Sequence, residues 1–266
     1  MIWDPNQYLA FADLRLRPAL DLLGRVPVAV PSSVVDLGCG AGNVTRVLRD
    51  RWPEARITGI DGSPEMLAAA RETASGTGSG SVSGSAPDIT WIESDIEGWR
   101  AETPVDVIYS NAVFHWLGDH ETLFPGLLAM VAKGGALAVQ MPRNPDAPFQ
   151  YLEGDVARGT EWWDTLAPHL RLDPVAEPGF YYDLLAPLCA RVEIWETTYQ
   201  QVLTGDNPVL EWVKGSRLRP LLAALDEPAR SAYEAAYGQA VNEAYPAAPD
   251  GTTLLPFRRL FLIAVA

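Results

Sequence analysis

Three carboxylates and a cluster of glycines are the residues in this chain whose types and spacing bear most directly on chemistry. The run Val34-Val35-Asp36-Leu37-Gly38-Cys39-Gly40-Ala41-Gly42-Asn43 puts glycines straight after a short apolar stretch. Glycine lets a backbone approach a ligand closely, and a glycine turn that opens a helix presents N–H groups to it. The spacing is G-x-G-x-G rather than the G-x-G-x-x-G of dinucleotide folds, and Asp36 stands just ahead of it. A carboxylate there would oppose a pyrophosphate. It suits a cationic ligand end, such as the methionine end of S-adenosylmethionine, directly or through water. That combination sets a nicotinamide dehydrogenase aside.

Two more acids follow at matching places. Asp61 closes the short run Arg56-Ile57-Thr58-Gly59-Ile60, where a carboxylate can accept both ribose hydroxyls. Asp95 follows Ile89 to Ile92, where it can accept from an adenine amine. Singly, each is more often a cap or turn residue than a ligand. Together, at successive strand ends beside a glycine turn, they read as one nucleoside site, because open α/β sheets bind ligands at the carboxyl ends of their strands. Asn111, in Ser110-Asn111-Ala112-Val113-Phe114-His115-Trp116, falls at a fourth strand end, beside the sulfonium and amino-acid part of such a ligand. His115 invites a general-base reading, although a packed pocket residue beside Trp116 is the commoner outcome.

The elements that position these groups are legible from periodicity. Apolar residues at helical spacing mark residues 7 to 24, with a break at Pro18. Strands are expected at Ser33–Leu37, Arg56–Asp61, Ile89–Ile92, Val105–Tyr109 and Gly135–Met141. Helices are expected between them, one capped by Ser63 and Pro64 over Glu65 to Glu72 and one over Leu123 to Val131. This alternation is the pattern of a parallel sheet covered on both faces. The Gly/Ser stretch 74–88 reads as a flexible surface loop without function. Beyond Pro142 the chain turns Pro- and aromatic-rich with weak periodicity. A strand over Val192 to Tyr199, helical stretches near 208–225 and 227–244, and a last strand from Leu254 to Val265 complete the reading.

Composition narrows the function classes. With 266 residues, 48% of them hydrophobic, the chain can bury a full core. A net charge of −14 argues against nucleic acid and anionic lipid as partners, because both need clustered cations. Only Lys133 and Lys214 are lysines, so the other eighteen of 20 basic residues are arginines, the side chain suited to gripping carboxylates. Cys39 and Cys189 make no disulfide or metal framework. Neither a leader nor a membrane-length apolar run is found, and a cytoplasmic protein is expected.

The glycine motif, Thr58 to Leu67, Glu93 to Ile96, Ser110 to His120 and Ala138 to Pro142 together resemble the class I S-adenosylmethionine-dependent methyltransferases. The resemblance narrows to the trans-aconitate methyltransferase family on Trp3 to Ala12 with Arg15, Arg17 and Pro18. It also rests on Tyr181-Tyr182-Asp183, Trp195 to Tyr199, Leu218-Arg219-Pro220 and Arg259-Leu260-Phe261. These motifs span nearly the whole chain. Two departures are the Gly/Ser insertion, which lies on a connection, and His115 in place of an expected Gln.

What the resemblance implies is an α/β Rossmann-like fold: a seven-stranded, mostly parallel sheet, its last strand antiparallel, with helices on both faces and a helical cap over the C-terminal strand ends. One methyltransferase domain, 1–266, would comprise an N-terminal helical segment (1–30), a cofactor-binding core (31–142), cap insertions (143–187 and 203–252) and the last two strands (188–202 and 253–266). Tyr8, Arg17, Asp36, Gly38, Gly40, Asp61, Met66, Asp95, Ile96 and Asn111 would hold S-adenosylmethionine, with S-adenosylhomocysteine as product. The substrate would be a small tricarboxylate, methylated on one carboxylate to a monomethyl ester by a monomer or weak dimer.

A carboxylate is already an ionised nucleophile at neutral pH, so no general base and no metal are required. The task left to the protein is alignment, exclusion of water and a grip on the remaining carboxylates. Arg219, Arg259 and Arg15, with Tyr182 and Trp116, are the expected positioning residues; Arg143, Arg217, Arg258, Tyr181 and Tyr199 could contribute. Two other readings stay open at this point: a methyltransferase for another small or carrier-bound carboxylate, and a non-catalytic module that binds S-adenosylmethionine.

Overall fold

A computed structural model describes residues 12–76, 89–170, 174–215 and 217–266. Seven strands form one sheet in the order β3-β2-β1-β4-β5-β7-β6. They are β1 (Ser33–Leu37), β2 (Arg56–Asp61), β3 (Thr90–Glu93), β4 (Val105–Asn111), β5 (Val131–Pro142), β6 (Arg191–Thr204) and β7 (Thr252–Val265). The first five are parallel. Against β5, β7 runs the other way: the Gly134 N–H donates to the Ala266 carbonyl at 2.8 Å, while the Arg143 N–H donates to Arg258 at 3.0 Å. The expected seven-stranded Rossmann-like sheet with an antiparallel last strand is therefore present. Strand order reverses at β1 and β4, the place where such sheets bind ligands.

The chain divides into two compact units. One comprises Leu16–Pro142, Pro174–Glu196 and Leu260–Ala266; the other comprises Met1–Arg15, Arg143–Asp173 and Thr197–Arg259. The boundary passes through β6 and β7: Arg191–Glu196 and Leu260–Val265 belong to the first unit, and the outer halves, Thr197–Thr204 and Thr252–Arg259, to the second.

In the first unit the sheet is apolar on both faces, as parallel strands covered by helices must be. Val35, Ile108 and Leu137 form one row across β1, β4 and β5. They pack in a cluster with Phe124 of the helix His120–Leu128 and Tyr181 of the helix Pro178–Leu185. The opposite face carries Tyr109, whose hydroxyl donates to the Ala19 carbonyl of the helix Ala12–Leu23 at 2.6 Å. That helix runs through Pro18 instead of breaking there. Its buried Ala19, Leu22 and Leu23 hold the apolar face in place, so the one backbone hydrogen bond that proline removes is outweighed by packing.

The second unit is helical around the outer halves of β6 and β7. Its helices are Pro148–Ala157, Trp163–Leu166, Pro208–Lys214, Arg219–Ala224 and Ala229–Ala244. A separate cluster that includes Phe149, Leu166, Trp212, Leu221, Tyr233 and Tyr237 forms its core. Two of these tyrosines sew the longest helix to the backbone of Pro148–Ala157: Tyr233 donates to the Glu153 carbonyl at 2.9 Å and Tyr237 to Phe149 at 2.7 Å. The stretch expected as one helix over 208–225 is two, the first ending at Lys214 and the second beginning at Arg219.

Two smaller differences concern connections. The helix after β2 extends over Pro64–Gly76, so the first three residues of the Gly/Ser stretch are helical, and residues 77–88 lie outside the described residues. The helix expected from Leu123 begins earlier, at His120, because the Asp119 side chain accepts the Thr122 N–H at 3.2 Å as a cap. Among the described residues no helix is long and apolar enough to cross a membrane.

Candidate functional site

The site builds up from the C-terminal ends of β1, β2 and β4. After β1 the chain turns through Gly38, Gly40 and Gly42, all at positive φ (74°, 54° and 76°), before the helix Asn43–Arg51. Gly38 needs to be glycine twice over. Its backbone is left-handed, and a Cβ there would lie 2.3 Å from Val113 Cγ2. Gly40 needs only the conformation, since a Cβ would meet nothing within 4 Å and the turn is open on that side. The turn is pinned to β2: Gly38 and Cys39 N–H groups donate to the Ile60 carbonyl at 2.8 and 3.0 Å, and Gly40 donates to Asp61 Oδ2 at 2.8 Å.

Asp61 therefore holds the turn, and its Oδ1 accepts the Ser63 N–H at 2.9 Å. Ser63 caps the next helix by accepting from the Met66 N–H at 3.2 Å, which fixes Met66, half-buried, one turn from Asp61. Asp36 is buried at 2% exposure, and its Oδ2 accepts the Thr45 hydroxyl at 2.6 Å. Burial pushes the Asp36 carboxyl up to about 7; the Thr45 hydrogen bond pulls the other way, and the charge of Asp61 adds to the rise. Among the described residues no cation offsets that rise, and a positively charged ligand end at the turn would supply one.

The other expected residues are placed as follows. Asp95 is exposed and lies in the turn beyond β3, which stops at Glu93; its Oδ1 accepts the Glu97 N–H at 3.2 Å. Ile96 is buried in the main cluster. Asn111 ends β4 opposite Gln140 of β5, and its Oδ1 is buried with no hydrogen-bond partner among the described residues. Trp116 is half-buried in the 3-10 turn Phe114–Trp116, next to His115 with ring centroids 4.5 Å apart. Arg17 is exposed on the helix Ala12–Leu23, and Tyr182 is 55% exposed on Pro178–Leu185. Tyr8 and the side chain of Arg15 lie outside the described residues.

The arginines of the second unit differ in character. Arg219 opens the helix Arg219–Ala224 and is half-buried. Arg259 is buried to 5% exposure with its guanidinium carbon 4.6 Å from the centre of the Phe257 ring, a cation–π contact. Arg217 pairs with Glu153 at 2.9 Å, an ion pair inside the helical unit that gives this arginine a structural partner. Arg258 donates from Nε to the Arg143 carbonyl at 2.9 Å, tying β7 to the end of β5.

Thr45 and Gln140 were not singled out by the sequence. Thr45 carries only the signal of a hydroxyl one helical turn past the glycines. Gln140 is more telling in hindsight: a lone amide inside the apolar run Ala136 to Met141 of a buried strand. His120, also unremarked, bonds through Nδ1 to the Tyr181 hydroxyl at 2.7 Å and through Nε2 to the Phe114 carbonyl at 2.9 Å.

Residues 34–135, which contain the glycine turn and all three acids, match the family described as a methyltransferase domain. Along 99% of its length the chain is 46% identical to the trans-aconitate 2-methyltransferase of Azoarcus sp. strain BH72, of which it covers 98%. It belongs to the trans-aconitate 2-methyltransferase family. Its fold recurs at much lower identity. The YcgJ protein of Bacillus subtilis superposes with a TM-score of 0.57 at 12% identity, over 94% of this chain and 98% of that one. Phosphoethanolamine N-methyltransferase 2 of Haemonchus contortus, solved with S-adenosyl-L-methionine, superposes with a TM-score of 0.55 at 15% identity, over 94% of this chain and 52% of that one. The whole-length match within the trans-aconitate 2-methyltransferase family takes in the helical unit as well.

Proposed function

We propose that this protein transfers a methyl group from S-adenosylmethionine to one carboxylate of trans-aconitate, giving a monomethyl ester. The observation that carries the reading is the match at 46% identity over 99% of the chain, which includes the arginine-bearing helical unit and not the cofactor half alone. S-adenosylmethionine, when bound, supplies an electrophilic methyl group on a positively charged sulfur.

The chain's own residues divide the remaining work. Asp36 and the Asn111 Oδ1, both buried acceptors, suit the cationic methionine end. Asp61 accepts the ribose hydroxyls, keeping free lone pairs beside its two backbone bonds. Asp95 accepts from the adenine amine, with Met66 and Ile96 against the ring. Gly38 and Gly40 give the backbone its close approach, and Tyr8 and Arg17 reach the cofactor from the N-terminal segment. Arg219, Arg259 and Arg15 grip the substrate's carboxylates, and Tyr182 and Trp116 orient it and shed water. His115 is not needed as a base, because the attacking carboxylate is ionised well below neutral pH. On its acidic charge we assign the protein no nucleic-acid or membrane partner; a cytoplasmic monomer or weak dimer remains part of the same proposal.

Transfer of label from methyl-labelled S-adenosylmethionine to trans-aconitate, as a base-labile ester, tests the proposal. Label that stays on the cofactor, with cofactor binding intact by calorimetry, would leave a methyltransferase for another carboxylate or a binding module instead.

A further inference from the structure

We propose that Gln140 holds the carboxylate that becomes methylated; the assignment rests on the carboxyl-methylation reading above. Gln140 is the third residue from the end of β5 and is fully buried, at 0% exposure. Neither its Nε2 nor its Oε1 has a hydrogen-bond partner among the described residues. A buried amide with both ends unpaired is rare in a folded chain, because desolvation costs stability that no bond returns. Its register partner Asn111 is half-buried, with a buried Oδ1 that also has no hydrogen-bond partner among the described residues. The strand registers Asp36 with Tyr109, Tyr109 with Ala138 and Asn111 with Gln140 put Asp36, Asn111 and Gln140 on one face of the sheet, at the C-terminal strand ends. Buried Asp36 and Gln140 and half-buried Asn111, close together on that face, mark where polar ligand groups sit.

The chemistry selects the donor. As the reaction proceeds, a carboxylate oxygen forms a bond to the methyl carbon, the methyl–sulfur bond breaks, and its electron pair stays on sulfur. The carboxylate's negative charge disappears in the same step. An arginine on that carboxylate would hold most tightly the charge the reaction removes, and so would favour the ground state over the transition state. A neutral amide N–H₂ orients the same oxygen without that loss. Gln140 is therefore suited to the reacting carboxylate, and arginines to the two that stay charged. The amide in this way determines which of the three carboxylates is esterified.

Gln140→Leu and Gln140→Met, near in volume and free of polar atoms, test this with three readouts. For both we expect kcat/KM on trans-aconitate to fall roughly 10- to 100-fold, as for a lost hydrogen bond to a charged group. The single monomethyl ester should become a mixture of positional isomers, which a purely structural role would not produce. The affinity for S-adenosylhomocysteine and the melting temperature should hold or, for the latter, rise. The assignment is overturned by variants that keep wild-type kcat/KM and one isomer. It is also overturned if weakened cofactor binding accounts for the whole rate loss, or if both variants melt lower, as loss of a water-filled structural site would produce. Wild-type protein that methylates no carboxylic acid would remove the functional reading itself; an active wild type with unaltered variants would remove only Gln140.

Discussion

At the scale of residues, Asp36 links stability, pH and ligand binding. Burial raises its carboxyl from the ordinary 3.8 to about 7 in the folded chain. Between those values the folded state keeps a proton that the unfolded chain has lost. The contribution to stability is thus full below about pH 4 and is lost as pH rises through about 7. A cationic ligand beside Asp36 favours its ionised form, so binding below pH 7 must expel the proton. Affinity for S-adenosylmethionine should rise with pH, up to tenfold per unit, and level off above about 7. Calorimetry in buffers of different ionisation enthalpy at acidic pH should detect the released proton. Asp36→Asn should abolish both the pH dependence and the proton release, and a flat profile in the wild type would contradict the account. The two glycines separate by geometry. Gly38→Ala, with a left-handed backbone and Val113 in the way, should cost about 3 kcal/mol in urea unfolding. Gly40→Ala, with open space around it, should cost about 1 kcal/mol. The acids and glycines were legible because their chemistry is written in type and spacing. The Thr45 partner and the raised Asp36 carboxyl were not, since both depend on what folding buries around them.

At the scale of elements, the helix Pro178–Leu185 shows what periodicity misses. It lies in the aromatic, Pro-rich stretch that gave no clear pattern, and it is only eight residues long. The signal present was proline at a helix start, seen also at Pro148 and Pro208. The five parallel strands, by contrast, are continuous apolar runs whose pattern survives any neighbour. A buried pair helps to hold the short helix, beside the packing of Tyr181 and Leu185 in the main cluster. The Phe114 carbonyl accepts from His120 Nε2, which leaves Nδ1 to accept the Tyr181 hydroxyl, and that hydroxyl in turn accepts the Ala176 N–H at 3.1 Å. The bond thus joins this helix to the turn that carries Trp116. Tyr181→Phe should destabilise the protein by about 1–3 kcal/mol in urea unfolding. It should also raise KM for the acid more than it lowers kcat, because the groups displaced include Trp116 and Tyr182, which are proposed to position substrate. Unchanged unfolding would show that the pair holds nothing.

At the scale of the whole molecule, the chain has two cores, and the candidate groups divide between them. The glycine turn, Asp36, Asp61, Asn111 and Gln140 belong to the sheet unit; Arg219 and Arg259 belong to the helical one. Arg219→Ala should then lower kcat/KM for trans-aconitate roughly 10- to 100-fold while leaving cofactor affinity intact. Equal losses in both would contradict this division. The parallel half of the architecture followed from alternating strands and helices. The helical unit did not follow from that alternation: helical stretches near 208–225 and 227–244 were legible and the family resemblance implied a cap over 143–187 and 203–252, but these segments are far apart in sequence and are joined only by the core they share.

The most direct test of the central claim is mass spectrometry of the wild-type protein incubated with S-adenosylmethionine and a panel of di- and tricarboxylic acids. The account predicts one methyl group gained by trans-aconitate, in a single positional isomer, with little on the other acids. No methylated acid from a protein that binds the cofactor, or equal methylation across the panel, would contradict it.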